Sequence, residues 1–361
     1  MAKQSLLTEL HQRNGAVFVE QDGWLLPDHF GDLGGEYAAV RNSAGLFDLS
    51  HHALLQFTGS DRVSFLQGML SNDVRLLKMF DGQQATILTQ QGKVIADVRV
   101  LCAMNSIYLD FWEPLKEKIL AHLNRYLVAD DVKINDPNGD WKMLSLQGPS
   151  ARKLVSEVFA DAELPIEPNQ HGMFQFDSAP ICVVRADHSG RQGYDLIVQN
   201  AHLIGLADKL TQRGASWVGE RTQNILRIEA GIPRYGVDFN EETLLLEVGL
   251  ENSYSYTKGC YLGQEVVERI RSRGHVNRKL CGLLLDGNTP VNAGDAIFAG
   301  DHEVGKITSS VTSLALNRPI ALGYIHRDFW SPETSLAVRH GSSSIAVKLT
   351  PLPFVATSAS S

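Results

Sequence analysis

Two hydrophobic patterns alternate along residues 1–270. Alternating apolar and polar positions predict strands, such as the hairpin formed by residues 83–89 and 94–102. Apolar positions three and four residues apart predict amphipathic helices, such as 115–127 and 203–213. Strands and helices that follow one another in this way predict an α+β region over these residues.

The pattern changes after about residue 275. From there the apolar runs are short, and glycine, proline, asparagine and aspartate separate them. The candidate strands are 280–285, 296–298, 302–309, 321–325, 335–339 and 343–349. Short strands with such turns predict a small all-β domain, a barrel over residues 275–355. The small polar residues 356–361 predict a frayed tail.

Composition narrows the class of protein. A chain of 361 residues is too long for one ordinary core, and its 43% hydrophobic and 20% charged residues are typical of soluble globular proteins. The net charge of -8 argues against broad nucleic-acid binding, which needs a basic surface. We find no signal-peptide pattern and no apolar run of about 18 residues, so we expect neither secretion nor a membrane span.

The cysteines and histidines do not have the spacing of metal ligands. Cys102, Cys182 and Cys281 lie in apolar runs typical of core residues, and the cysteines form no CxxC pair. His51 and His52 have no acidic or cysteine partner at ligand spacing, which favours a structural or hydrogen-bonding role. We therefore expect no metal site. Few, unpaired cysteines suit a reducing cytoplasm, where we place the chain.

Cys260 differs from the other cysteines in its polar, turn-prone surroundings. The apolar positions that follow it predict a helix from Leu262 to about Arg273, with Gly274 as its end. This pattern places Cys260 at a helix N-terminus beside Lys258, and both features favour a reactive thiolate. A small buried hydrophobe is the alternative interpretation of this cysteine.

The segment Lys-Gly-Cys-Tyr-Leu-Gly-Gln-Glu, residues 258–265, resembles the signature of the YgfZ family of folate-binding proteins. These bacterial proteins and their mitochondrial iron–sulfur assembly relatives share the fold of the glycine cleavage T-protein, an aminomethyltransferase. The opening through Asp-Leu-Ser-His at 48–51, and Arg-Ile-Glu-Ala-Gly at 227–231, also resemble T-proteins. The resemblance covers nearly the whole chain. It implies two α/β subdomains around a folate site, followed by the barrel.

One departure from the T-protein pattern concerns catalysis. T-proteins carry two adjacent aspartates in the second hairpin strand, and the resemblance implies that the first acts on the folate nitrogen. Here the pair is Ala96 and Asp97. Asp97 would replace the missing group only after a one-residue slip, which turns a side chain to the other face. Arg191 also stands where T-proteins have a glutamate associated with the pterin.

The resemblance implies tetrahydrofolate, or a one-carbon derivative of it, as the ligand. Asp97, Tyr194, Arg227 and Tyr235 match folate-lining segments of the family, and each is equally compatible with a surface role. Arginine suits the glutamate tail of a folate, and an aromatic wall suits its benzoyl ring.

Two functions follow from these features. In the first, the chain is an accessory protein that binds tetrahydrofolate and supports iron–sulfur assembly or repair in client enzymes, including tRNA-modifying ones. Cys260 is then the working thiol, Lys258 favours its thiolate, and Gln264 and Glu265 orient it or contact a partner. In the second, the chain is a tetrahydrofolate-dependent aminomethyltransferase or demethylase, which alanine at position 96 weakens. We expect a monomer whose partners are folate and either iron–sulfur client enzymes or assembly proteins.

Overall fold

The computed structural model describes residues 2–159, 163–288 and 290–356, so residues 357–361 of the predicted tail lie outside the described residues. The chain divides into two compact units. The first contains Met1–Ile87, Ala96–Gln223 and Asn252–Tyr261, and the second contains Leu88–Ile95, Asn224–Glu251 and Leu262–Ser361.

The region before the barrel is a mixture of helices and strands. Its helices are α1 Thr8–Arg13, α2 Leu33–Asn42, α3 Arg62–Met69, α4 Lys116–Tyr126, α5 Ala151–Val158, α6 Asn200–Gln212, α7 Glu220–Glu229, α8 Leu245–Val248 and α9 Gln264–Arg273. Its strands are β1 Lys3–Gln4, β2 Val17–Gln21, β3 Trp24–His29, β4 Gly45–Asp48, β5 His52–Thr58, β6 Gly82–Leu88, β7 Val94–Cys102, β8 Ile107–Trp112, β9 Lys133–Asn135, β10 Trp141–Gln147, β11 His171–Phe176, β12 Ala179–Ala186, β13 Gly193–Gln199 and β14 Ser216–Trp217.

These strands form three sheets. Their orders are β1-β3-β2, β11-β12-β13-β10-β4-β14 and β6-β7-β8-β5-β9. One face of the six-stranded sheet is apolar because it carries alternate residues of β10 and β13, namely Leu144, Leu146, Tyr194, Leu196 and Val198. Leucines of α5 and α6 at helical spacing, such as Leu154, Leu203 and Leu210, cover that face and exclude water from it.

The second unit contains the predicted barrel. Its strands are β15 Arg278–Leu285, β16 Ala296–Ala299, β17 His302–Ser313, β18 Arg318–His326, β19 Leu336–His340 and β20 Ser343–Thr350. They close in the order β15-β18-β17-β16-β19-β20, and every pair is antiparallel. Inward-facing residues such as Leu283, Ile297 and Val338 fill the interior.

The predicted fold class is confirmed: a mixed α/β region precedes a closed barrel. Within the described ranges, no helix is both long enough and apolar enough to cross a membrane.

Candidate functional site

Asp97 lies on the accessible face of β7. Successive side chains of a strand point to opposite faces, so Ala96 and Asp97 face different surroundings. Ala96 is fully buried, whereas Asp97 is half-buried. Burial raises the pKa of the Asp97 carboxyl and Asp110 raises it further, while His52 opposes them. Asp97 is therefore a carboxyl group with a perturbed pKa at a partly open position.

This alternation shows where Ala96 and Asp97 lie relative to the sheet. β7 and β8 pair without a bulge, with Arg99 opposite Asp110 and Leu101 opposite Tyr108. Asp97 stands two residues before Arg99 in the same strand, so it lies on the face of Arg99 without a slip. This face of β7 therefore carries a carboxyl, and its catalytic role stays a prediction.

We define the Asp97 face as the face of the five-stranded sheet that carries this carboxyl. The strand registers place Arg99 and Leu101 of β7, Tyr108 and Asp110 of β8, and His52, Leu54 and Gln56 of β5 on this face.

A buried ion-pair cluster lies on the Asp97 face. Nη2 of Arg99 is 2.6 Å from Oδ2 of Asp110, and its Nη1 is 2.7 Å from Oδ2 of Asp195 in β13. The three side chains are at most 5% exposed. Burial alone would raise the pKa of Asp110, but the charges of Arg99 and His52 outweigh it and hold that pKa below its usual range. Arg99 thus joins the five-stranded sheet to the six-stranded sheet.

Two histidines extend this cluster toward solvent. Nδ1 of His52 is 3.0 Å from Oδ1 of Asp110, and Nε2 of His188 is 2.9 Å from Oδ2 of Asp195. Their ring centroids are 6.3 Å apart, and their side chains are 22% and 26% exposed. Burial would lower the pKa of His188, but Asp195 outweighs it and raises that pKa. Each imidazole is therefore oriented by a buried carboxylate.

A cavity of about 270 Å³ lies between the same two sheets. Its described lining combines aliphatic and aromatic side chains with a few neutral polar ones: Leu54, Gln56, Phe80, Leu101, Ala103, Tyr108, Pro137, Trp141, His171, Met173, Cys182 and Ile197. Burial lowers the pKa of His171 to about 4, so this ring is neutral at pH 7. An apolar chamber therefore adjoins the charged cluster, and it suits a flat, largely uncharged group.

Sequence reasoning missed this cluster. Arg99, Asp110 and Asp195 each stand alone between apolar neighbours inside a strand. A single charge in a buried strand is the available signal, because such a charge needs a partner. The partners come from strands that are distant in sequence, so the signal identifies the residues without pairing them.

Tyr194 does not lie on the cluster side of β13. It is 2% exposed within the apolar face that α5 and α6 cover. Its hydroxyl accepts a hydrogen bond from Arg152 at 3.0 Å and donates one to the carbonyl of Pro165 at 3.1 Å. The predicted contact with folate stays a prediction, and this placement gives it no support.

Arg227 and Tyr235 lie in the second unit. Nη1 of Arg227 is 2.6 Å from Oδ2 of Asp238, and its Nη2 donates to Oγ of Ser309 at 2.8 Å. The ring of Tyr235 packs edge-on against Phe239, with centroids 5.4 Å apart. These contacts connect α7, the segment that follows it and β17 of the barrel. A folate-binding role for either residue stays a prediction.

Lys258 anchors the segment that carries Cys260. Its Nζ donates to the carbonyls of Gln67, Leu70 and Asn72 at 2.8, 2.6 and 2.8 Å, so all three ammonium hydrogens have acceptors. Burial lowers the pKa of Lys258 to about 8, which leaves it charged at pH 7. Nζ also lies 4.9 Å from the centroid of the Tyr261 ring. The predicted support of the Cys260 thiolate by this amine stays a prediction, and these contacts give it no support.

The predicted start of the helix after Cys260 is wrong. α9 begins at Gln264, because Gly263 precedes it in a left-handed conformation with φ of 86°. A β-carbon at position 263 would lie 2.6 Å from the carbonyl oxygen of Thr89, so glycine is required there. Cys260 therefore does not stand at a helix N-terminus. Gly274 ends the helix, as predicted.

Cys260 is the exposed one of the four free cysteines, which rejects the small buried hydrophobe as an interpretation. Glu265 is also exposed, and Gln264 is partly exposed. Among the residues that the structure describes, no group of three or more histidine, cysteine or acidic side chains has the spacing of a metal site.

Comparisons with known proteins match these features to one family. Residues 7–258 match the GCVT N-terminal domain, and residues 278–356 match the glycine cleavage T-protein C-terminal barrel domain. An aminomethyltransferase of Rubrobacter xylanophilus is 30% identical over 360 residues, which cover 98% of this chain and 94% of the relative. One from Xylella fastidiosa is 28% identical over 364 residues, covering 98% and 97%.

A solved structure shares the whole fold. The glycine cleavage system aminomethyltransferase T from Bartonella henselae superposes with a TM-score of 0.92 and 24% identity, covering 99% of each chain. The two domain matches span both the α/β region and the barrel, in the order that the structure shows. The chain belongs to the glycine cleavage T-protein family.

Proposed function

We propose that this chain binds tetrahydrofolate on the Asp97 face and transfers a one-carbon unit to it, as an aminomethyltransferase. The observation that carries the proposal is the half-buried Asp97 carboxyl, on the face that also borders the apolar cavity. Relatives that this chain matches along 98% of its length bear the name aminomethyltransferase, which supports the same conclusion.

The proposed one-carbon transfer needs a carboxyl group of this kind. A folate nitrogen that gains a carbon must lose its proton, and an acid–base group within reach accelerates that loss. The raised pKa of Asp97 brings the carboxyl nearer to the range in which it exchanges protons at neutral pH. The cavity offers the aromatic and aliphatic walls that a benzoyl or pterin ring prefers.

The substitution Asp97→Asn tests the proposal because it keeps the shape and removes the proton acceptor. We expect formation of methylene-tetrahydrofolate from an aminomethyl-loaded lipoyl carrier protein to fall by about 100-fold or more, with tetrahydrofolate affinity within about fivefold of wild type. Asp177→Asn, in the exposed turn between β11 and β12, is the matched control. Equal activity of both variants contradicts the role of Asp97, and a wild-type chain that forms no product contradicts the function.

The exposed thiol of Cys260 favours a second candidate. In that role the chain is a YgfZ-type accessory protein of the cytoplasm, which binds tetrahydrofolate and supports iron–sulfur enzymes, including tRNA-modifying ones. The support is the Lys-Gly-Cys-Tyr-Leu-Gly-Gln-Glu signature together with the exposure of Cys260 on an anchored segment.

Iron–sulfur enzyme activity in cells that lack this gene separates the two candidates. The accessory role predicts rescue by wild-type protein and by Cys102→Ala, and failure of Cys260→Ala at equal abundance. Rescue by Cys260→Ala would remove the thiol from the function. No rescue by any of the three proteins would reject the accessory role.

A further inference from the structure

The proposed transfer moves more protons than one carboxyl can hold. When methylene-tetrahydrofolate forms, the carbon exchanges two bonds to departing atoms of the donor for two bonds to folate nitrogens. Two protons leave the folate nitrogens, and the two departing atoms take up two. No electron is gained or lost. Because Asp97 holds one proton at a time, the balance calls for a second proton-transfer group at the same face.

We infer that His188, with His52 beside it, is this second proton-transfer group. The inference rests on the proposed function. It assigns to His188 the proton that passes to the departing amine of the donor, and to His52 the exchange of that proton with solvent.

The geometry of the two imidazoles supports this assignment. Each ring has one nitrogen at 2.9–3.0 Å from a buried carboxylate, and this contact fixes which nitrogen carries the permanent proton. Within the described residues, the other nitrogens, Nε2 of His52 and Nδ1 of His188, have no hydrogen-bond partner and are not buried. Each ring therefore has one nitrogen that can exchange a proton with solvent or with a bound ligand.

Arg99 prevents the carboxylates from taking the proton themselves. It binds Asp110 and Asp195 at 2.6 and 2.7 Å, and both carboxyls have pKa values below their usual range. A proton that enters the cluster is therefore held by an imidazole. The groups that face His188 are Asp195 of β13, Arg99 of β7, Asp110 of β8 and His52 of β5, and the pKa of His188 is raised in their presence.

The cluster is also coupled to Asp97. The charges of His52 and Asp110 both act on the Asp97 carboxyl, so protonation of one group changes the proton affinity of the other. The pKa values of Asp97 and His188 are both raised above their ordinary values. The shift makes the Asp97 carboxylate a stronger base and favours the charged form of His188, which is the form that can donate a proton.

The test compares His188→Gln with His326→Gln, an exposed histidine of the barrel. We expect His188→Gln to lower the single-turnover rate of methylene-tetrahydrofolate formation by about 100-fold, to change its pH profile, and to leave tetrahydrofolate affinity within about twofold. Added imidazole should restore part of the rate. His326→Gln should match wild type in every measurement.

Proton NMR of the ligand-free protein gives a second readout that does not depend on activity. The Cε1 proton of His188, assigned by its absence in His188→Gln, should titrate above the ordinary value of 6.5. Titration below 6.5, or an unchanged transfer rate in an active wild-type background, overturns the inference alone. A loss of rate that only follows a loss of folate affinity also overturns it. A wild-type chain that binds tetrahydrofolate and forms no product overturns the proposed function as well.

Discussion

Two buried arginine–aspartate pairs in this chain have opposite surroundings. Arg227 and Asp238 also bond to Asn224, Thr308 and Ser309, which are neutral amide and hydroxyl groups. The carboxylates that pair with Arg99 bond instead to His52 and His188, whose side chains are partly exposed. The first network therefore includes neutral partners at these positions, whereas the second has titratable imidazoles.

This difference separates a structural role from a chemical one. A buried ion pair by itself is weak evidence for function, because many such pairs only satisfy charges that the fold has buried. Groups that exchange protons need access to solvent or substrate, and the Arg99 cluster has that access through its imidazoles. The Asp97 face, which carries the Arg99 cluster, is therefore the better candidate for proton-transfer chemistry, although Arg227 matches a folate-lining segment of the family.

The largest expected effect belongs to the Arg227 network. Asp238→Ala leaves the charge of Arg227 buried without its partner, which costs about 3–5 kcal/mol of unfolding free energy. His188→Gln, in the Arg99 network, should cost about 1–2 kcal/mol, because Asp195 keeps its pair with Arg99 and loses only one hydrogen-bond partner. Urea unfolding followed by circular dichroism measures both. Similar losses for the two variants would remove the distinction between the networks.

An intermediate effect is expected at Lys258, a buried cation that donates to three carbonyls and lies 4.9 Å from the centroid of the Tyr261 ring. Lys258→Met leaves three buried acceptors without this donor, and we expect a loss of about 1–3 kcal/mol with faster proteolysis of the Cys260 segment. Lys153→Met is the control, since its side chain is 78% exposed. Unchanged protease resistance in Lys258→Met would show that the segment does not depend on this anchor.

The smallest effect is a pH dependence of stability that the Arg99 network should show through its imidazoles. The pKa of His188 is raised in the folded state, so its contribution to stability is complete below the unfolded value of about 6.5 and is lost as pH rises through the folded value. Wild type should therefore lose slightly more stability than His188→Gln between pH 6 and about pH 9. Parallel stability curves in urea titrations would contradict this coupling.

The sequence predicts the barrel well for a physical reason. Each strand has an inward apolar row and ends at a turn residue, so its pattern is local and complete. β15 extends over Arg278–Leu285 where residues 280–285 were predicted, and β20 over Ser343–Thr350 where 343–349 were predicted. By contrast, β11 at His171–Phe176 was not predicted, because its burial alternates only weakly.

The candidate site is harder to predict because it depends on register and backbone conformation. The sequence offers Asp97 and Ala96 as alternatives, and only the folded strand shows that Asp97 is the accessible one and shares a face with Arg99. Lys258 was assigned to the thiol from its place in the sequence, whereas its acceptors lie more than 180 residues away. The start of α9 was missed because the pattern does not reveal the left-handed conformation of Gly263.

The most direct test of the central claim is calorimetric binding of tetrahydrofolate to two tryptophan variants. Ala103→Trp places an indole in the lining of the cavity, whereas Met104→Trp places it on the exposed neighbour, which is 71% accessible. We predict binding by wild type and Met104→Trp, and affinity at least tenfold weaker for Ala103→Trp. Equal affinities for all three proteins would contradict the claim that the Asp97 face and its cavity hold the folate.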